Sequence, residues 1–374
     1  MSTAADHTPL KKPPKQAAVP RPSSSVLLIS PQNQILLLHR VQTSSSFASA
    51  HVFPGGVLSA EHDGEIPAPE SPVRHVDGPS YRMAAIRETF EECGILLARK
   101  KGSGKDGGLW TGVDDEERER GRRDVHAGKV RFGELLEGWG VEADVENLIP
   151  FTRWITPPNV PKRFTTQMYL YFLPLSATTS ESSATSTTST SSSSTPIPDS
   201  PSESETIIPT PTHDGGIEHT AARFLPPHKW LSLARENKII LFPPQFFLMH
   251  ILSPFLSSTV TSLSSLNPSI SDLSKERLTL LNYLGERRTY KGQDEPTFTD
   301  ACISPIAEIS RGGPEYGGVD KGTAILRLDF SGKEAGQGRR GFREWVVTTK
   351  FKKDGPRDVD VARRDEVLGV KGKL

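Results

Sequence analysis

Residues 84–98 read AAIRETFEECGILLA, and three carboxylates, Glu88, Glu91 and Glu92, fall within five positions. On an α-helix turning about 100° per residue, Glu91 lies about 60° to one side of Glu88 and Glu92 about 40° to the other. Met83, Ile86, Phe90 and Cys93 occupy the opposite arc. The segment therefore reads as an amphipathic helix over residues 81–93, with Gly94 as its stop signal. Like charges at these spacings destabilise an isolated helix by roughly 0.3 kcal/mol per pair. A solvated face usually interleaves Lys or Arg, and Arg87 lies off to one side. Two readings stand: a solvated acidic face, or converging oxygen donors of the kind Mg²⁺ or Mn²⁺ takes.

Upstream, Phe53-Pro54-Gly55-Gly56 ends a short apolar run. Two glycines let the backbone approach a ligand closely, and their carbonyls can add an oxygen donor. Gly55, Glu61, then Arg87-Glu88-x-x-Glu91-Glu92-x-Gly94-Ile95 resembles the Nudix box, G-x5-E-x7-R-E-U-x-E-E-x-G-U with U aliphatic. Thr89 stands where an aliphatic residue is usual. Twenty-five residues separate Glu61 from Arg87 where the pattern has seven, an insertion of 18, so Glu61 and Glu65 compete as the first acid. The resemblance implies an α+β fold, an α/β/α sandwich with a mixed sheet. It implies Mg²⁺ or Mn²⁺ held by Glu88, Glu91 and Glu92 with the Gly55 carbonyl alongside, and Arg87 orienting the acids through a salt bridge.

The rest of the chain frames this box. It has 374 residues, zero formal charge, 35% apolar residues and two cysteines. The apolar fraction is low for a fully packed chain. Neutral charge gives no global footprint for nucleic acid, two cysteines give no disulfide framework or zinc spacing, and no apolar run reaches membrane-span length. Residues 1–24 read as a disordered tail and 25–255 as the Nudix domain. Within that domain lie a Pro-rich insertion at 62–79 and a Ser/Thr-rich insert at 176–213, which has too little apolar surface to fold. LIPFTRWITP and RFTTQMYLYFLPL read as two strands. DDEERERGRRD is a loop or solvated helix, and VRFGELLEGWG a short amphipathic helix. Residues 256–374 form an extension, with a helix at ISDLSKERLTLLNYLGERR and a β-hairpin from TAILRLDF and REWVVTTKF.

Trp154, Thr156, Pro157, Arg163, Phe164, Thr166 and Tyr169, with Pro243, Pro244, Gln245 and Phe246, resemble one branch of the family, the peroxisomal coenzyme A diphosphatases with a split box. That resemblance implies hydrolysis of coenzyme A or acyl-coenzyme A to 3′,5′-ADP and (acyl-)4′-phosphopantetheine. Arg153 and Arg163 then supply cations for its phosphates, or are charges flanking strands. Gln245 lines the pocket or caps a turn. Glu218, six residues before Phe224, serves as base or extra metal ligand. The alternatives are another nucleoside diphosphate derivative (ADP-ribose, NADH or capped RNA, the last disfavoured by neutral charge) and a non-catalytic ligand-sensing or interaction module. Retention of all three helix acids favours the enzyme. Gly372-Lys373-Leu374 is similar to the Ser-Lys-Leu address read by the peroxisomal import receptor, which points to the peroxisome, with cytoplasm or mitochondrion as alternatives.

Overall fold

Val26, Leu27, Leu28 and Ile29 are all fully buried. A strand without a solvent face must be covered on both sides, and an unbroken apolar run is how such a strand reads in sequence. The computed structural model describes residues 17–41, 49–175, 219–256, 268–336 and 338–369. Strand β1 (Arg21–Ile29) begins four residues ahead of the expected start at Ser25. The reason is backbone pairing. The polar residues at its start are already in parallel register with the strand β8 described below, Arg21 opposite Phe164, and the Ser23 hydroxyl meets that of Thr166 at 2.7 Å. Most of the expected tail, the Ser/Thr-rich insert, Glu218 and Gly372–Leu374 lie outside the described residues.

After β1 come β2 (Ile35–Arg40), β3 (His51–Val52) and β4 (Gly55–Val57). β4 pairs antiparallel with β1, which sets Gly55 opposite Ser25 and Gly56 opposite Ser24. Helix α1 (Pro79–Cys93) follows the insertion. Then come β5 (Ala98–Lys100), α2 (Asp115–His126), α3 (Phe132–Gly138) and β6 (Val141–Ala143). The acidic run at Asp114–Glu117 builds the start of α2, where Asp114 caps the helix by accepting the Glu117 N–H at 2.8 Å. β7 (Ile149–Ile155) and β8 (Phe164–Phe172) pair antiparallel, and β8 runs parallel to β1. β9 (His219–Leu225) pairs antiparallel with β2.

Alternation along β1 separates two cores. Val26 and Leu28 pack with Tyr81, Ala84, Phe90 and Cys93 of α1. Leu27 and Ile29 pack on the other face with α4 (Pro227–Arg235), α5 (Pro243–Leu252) and α6 (Ile270–Gly285). Each fully buried Leu or Phe contributes on the order of 2 kcal/mol. α6 is also fastened by Arg277, which donates to Asn33 Oδ1 at 2.8 Å, Leu173 O at 2.7 Å and Ser30 O at 2.7 Å. The protein thus has an α+β fold, with a mixed sheet between two helical layers.

The C-terminal region is integral to this architecture. β10 (Thr289–Tyr290) and β11 (Gln293–Asp294) form a small ribbon. β12 (Cys302–Ile303) then joins the main sheet parallel to β7, giving the order β12-β7-β8-β1-β2-β3. β13 (Ile306–Ile309), β14 (Ala324–Leu328), β15 (Phe342–Lys352) and β16 (Gly355–Arg363) form a second, antiparallel sheet, followed by α7 (Arg364–Leu368). β14 and β15, the expected hairpin, are its central pair. Phe298, Ile303, Phe342 and Val347 share one core with Leu27 and Phe246, so packing runs across the boundary placed at residue 255. Among the described residues, no helix is long and apolar enough to cross a membrane.

Candidate active site

α1 carries the acids, and its ends follow from its sequence. Gly78 occupies the N-cap position and Pro79 the first helical one, where a missing N–H costs little. Gly94 takes the left-handed conformation at φ 74°, and its N–H closes on Phe90 O at 2.9 Å. Helical periodicity foresaw the apolar arc, but more of the helix is covered than one arc. Arg87, Thr89 and Glu92 are buried as well, with Arg87 against Asp63 and Val57 and Glu92 against Gly55. Thr89, the departure from the box pattern, is fully buried, and its hydroxyl is satisfied by Ala85 O at 2.8 Å.

The three acids share one side of α1, and Arg87 does not stand aside from them. Its Nη1 lies 2.9 Å from Glu88 Oε1 and 2.9 Å from Glu91 Oε1. On its other edge it makes a fork to Asp63, Nε to Oδ1 and Nη2 to Oδ2, both at 2.8 Å. Nη2 also reaches Val57 O at 3.2 Å. Burial disfavours the guanidinium's charge, but the bonds to Asp63 and the charge of Glu88 outweigh it and hold the pKa above its ordinary value. Burial pushes the Glu88 carboxyl up to about 7 against the pull of Arg87, with the Glu91 charge adding to the rise. Arg87 thus links Glu88 and Glu91 of the helix to Asp63 through salt bridges.

Among the acids at 61–65, Arg87 pairs with neither Glu61 nor Glu65 but with Asp63. Glu61 and Glu65 are exposed, and the Asp63 side chain is fully covered. A tight turn aims it. The Ser59 N–H donates to Asp63 Oδ2 at 2.7 Å, and the Asp63 N–H donates to Ser59 O at 2.8 Å. The Asp63-Gly64 pair was the available signal, because Asp-Gly marks a turn. Counting from Gly55 passed over it.

Gly55 and Gly56 bring β4 against the acids. The Gly55 N–H donates to Glu92 Oε2 at 2.8 Å. Gly55 has φ 154°, and a Cβ there would sit 2.3 Å from Ser24 O. A Cβ on Gly56 would lie 2.4 Å from Glu88 Oε1. The inserted helix α2 adds two contacts that sequence reading missed. Arg122 Nε donates to Glu91 O at 2.7 Å, and His126 Nδ1 lies 3.2 Å from Glu91 Oε2. The donor set, carboxylates beside a glycine turn that leaves them room, suits a hard divalent cation. The side chains are drawn toward Arg87, Gly55 and α2, and among the described residues no group of three His, Cys, Asp or Glu converges on a common point.

The other expected site residues fall elsewhere. Arg153 is fully buried in β7, not on the surface, with Nη1 3.1 Å from Thr165 Oγ1 and its guanidinium 4.5 Å from the Tyr81 ring centre. Arg163 is buried too, donating to Thr156 O at 2.9 Å and Ala18 O at 2.8 Å. Gln245 caps α5, accepting the Phe242 N–H at 2.9 Å. Its carbonyl is spent on the turn, in the helical layer across the sheet from α1.

Residues 76–214 match the model of the NUDT19 Nudix domain. The chain is 30% identical over 148 residues to "Putative nudix hydrolase 7" of Caenorhabditis elegans, covering 40% of this chain and 42% of that protein. It is 30% identical over 179 residues to "Acyl-coenzyme A diphosphatase NUDT19" of Gallus gallus, covering 37% and 47%. The chain thus spans less than half the length of either relative. A solved Nudix hydrolase from Alicyclobacillus acidocaldarius superposes with a TM-score of 0.46 at 19% identity, over 67% of this chain and 98% of that one. Residues 76–214, the stretch that matches the NUDT19 Nudix domain model, include the whole acidic helix, and that helix meets the glycine turn through Arg87 and Glu92; this region is similar to the NUDT19-like branch of the Nudix superfamily.

Proposed function

We propose that the protein hydrolyses a diphosphate linkage in a nucleotide derivative, most specifically coenzyme A or acyl-coenzyme A. The observation that carries the reaction class is the gathering of Asp63, Glu88 and Glu91 round one guanidinium, with Glu92 tied to the glycine turn. The coenzyme A assignment is supported by the NUDT19 relative and by the downstream motif at Trp154–Tyr169.

Glu88, Glu91 and Glu92, with the Gly55 backbone, would hold Mg²⁺ or Mn²⁺. A bound divalent ion supplies charge neutralisation on the phosphate oxygens and acidifies an attacking water. The chain's own residues set the geometry. Asp63 pins Arg87, Arg87 fixes Glu88 and Glu91, and the Gly55 N–H fixes Glu92. Gly56 keeps the approach beside Glu88 clear of a side chain. A box carboxylate or Glu218 accepts the proton of the water, and the products are 3′,5′-ADP and 4′-phosphopantetheine or its acyl form.

The test is hydrolysis of coenzyme A, acyl-coenzyme A, ADP-ribose and NADH by the purified chain across a Mg²⁺ and Mn²⁺ titration. Turnover of ADP-ribose or NADH with none on the coenzyme esters overturns the substrate. Full activity in the presence of a chelator overturns the metal-dependent mechanism, and no turnover on any substrate favours the ligand-sensing alternative. Peroxisomal import rests on Gly372-Lys373-Leu374. Imaging the chain with and without these three residues tests it, and an unchanged distribution overturns it.

A further inference from the structure

A second charge cluster lies at the β7 edge of the sheet, where β12 joins it. Arg153 is fully buried, and its Nε and Nη2 have no hydrogen-bond partner. Thr165 Oγ1, which takes its Nη1, also meets His75 Nδ1 at 3.0 Å. Arg74, next in the chain, spends its guanidinium on the neutral carbonyls Pro67 O and Pro20 O and leaves Nε unpartnered. Arg339, half-buried on the C-terminal loop, closes over them by donating to His75 O. Arg163 completes the group, with Nη2 2.6 Å from Glu334 Oε1.

Arg74, Arg153 and Arg339 all act on His75, Arg163 is linked to them through Glu334, and among the described residues Glu334 is the one carboxylate paired with any of the four. A buried cation without a counter-charge is costly, and native proteins pair such groups. Burial holds the Arg153 pKa below its ordinary value against the pull of Tyr81, and Arg339 adds repulsion. His75 is kept neutral for the same reasons, pushed down to about 4 by burial and then by Arg153.

We infer that this cluster is an anion subsite for a phosphate group, with Arg153 as its floor and Arg339 as its movable mouth. The planar fork of arginine matches phosphate oxygens. Ser24, Gln167 and Arg153 lie in one row across β1, β8 and β7, and Gly56 pairs with Ser24 from β4. At about 4.8 Å per strand the subsite sits roughly 14 Å from the glycine turn, a separation that one extended nucleotide can bridge. The anion is then either a phosphomonoester carried by the diphosphate substrate or free inorganic phosphate. The first case rests on the diphosphatase reading above, and the second does not.

Thermal unfolding of the full chain without divalent metal, in inorganic phosphate against chloride at matched ionic strength, tests the subsite. Phosphate is expected to raise the wild-type Tm by about 5 °C at saturation, and Arg153→Met and Arg339→Ala to abolish most of that rise. No rise in the wild type, or a full rise in both variants, overturns the inference. Should Arg153→Met fail to fold, Arg339→Ala, near the surface, decides. Hydrolysis of coenzyme A and dephospho-coenzyme A, which differ by one phosphomonoester, separates the sources. A kcat/KM loss in Arg339→Ala at least about tenfold greater on coenzyme A places the substrate's phosphate here. Equal losses with the thermal shift intact assign the site to free phosphate. If the wild type hydrolyses neither compound, the diphosphatase reading fails while the thermal shift still reports on the subsite.

Discussion

Two clusters on one sheet mirror each other in charge. At α1, the carboxylates of Asp63, Glu88 and Glu91 gather round the guanidinium of Arg87, and that of Glu92 is held by the Gly55 N–H. At the β7 edge, the four guanidinium groups of Arg74, Arg153, Arg163 and Arg339 have the single carboxylate of Glu334. Each is internally hydrogen-bonded as far as its own chemistry allows, and each carries an uncompensated sign. The acidic cluster suits a cation, and the basic one suits an anion. A metal-dependent enzyme acting on a phosphorylated nucleotide needs both. The difference between them is also instructive. Both clusters draw on the insertion, through Asp63 and Arg74, but the acidic one is otherwise built from one helix and its glycine turn, whereas the basic one also needs β7, the start of β8 and the C-terminal loop.

The largest expected effect breaks the acidic side. Glu91→Gln with Glu92→Gln should lower kcat by about 10³ or more, since several kcal/mol of charge stabilisation are lost, measured on whichever diphosphate the wild type cleaves. An unchanged rate would remove these acids from the mechanism. Asp63→Asn should cost about 3–5 kcal/mol of stability, because it leaves the buried Arg87 charge without its fork. Glu61→Gln and Glu65→Gln, both exposed, should stay within about 0.5 kcal/mol. Urea denaturation of the three variants checks this contrast.

The histidines probe the basic side. His75 is held near 4 against an ordinary 6.5 by burial and then by Arg153. Its folded pKa lies below the unfolded one, so the unfolded chain binds the extra proton between these values. Stability is fully present above about pH 6.5 and is lost as pH falls through about 4, by about 3 kcal/mol for this group. His51, also held near 4 by burial and then by His39 and Arg223, acts in the same direction. His75→Gln should flatten the stability profile between pH 4 and 6.5, and an unaltered profile would show that His75 does not titrate as described.

Two smaller changes sharpen the acidic site. Gly56→Ala places a methyl against the Glu88 carboxylate and should weaken Mn²⁺ binding about tenfold, read by calorimetry, with little loss of stability because that carboxylate can swing aside. Thr89→Val restores the usual aliphatic residue. It should change stability by less than about 1 kcal/mol, since both members of the Thr89–Ala85 bond lie within one helix.

The sequence by itself determined the acidic helix and its stop at Gly94. These depend on local periodicity, and the residues involved are neighbours in the chain. It did not determine Asp63, because the aim of a short turn depends on Ser59 and on where Arg87 comes to rest. It left Arg153 as a phosphate-binding or strand-flanking charge and Gln245 as a pocket or turn-capping residue, and only tertiary packing set Arg153 beneath Tyr81 and Gln245 at the cap of α5. It ended the Nudix domain near residue 255, yet β12 completes the main sheet's edge from residues 302–303. Glu334 and Arg339 reach Arg163 and His75 across 171 and 264 positions of chain. Charge balance at that distance is a property of the fold, because which charges meet is decided only when the C-terminal strands pack.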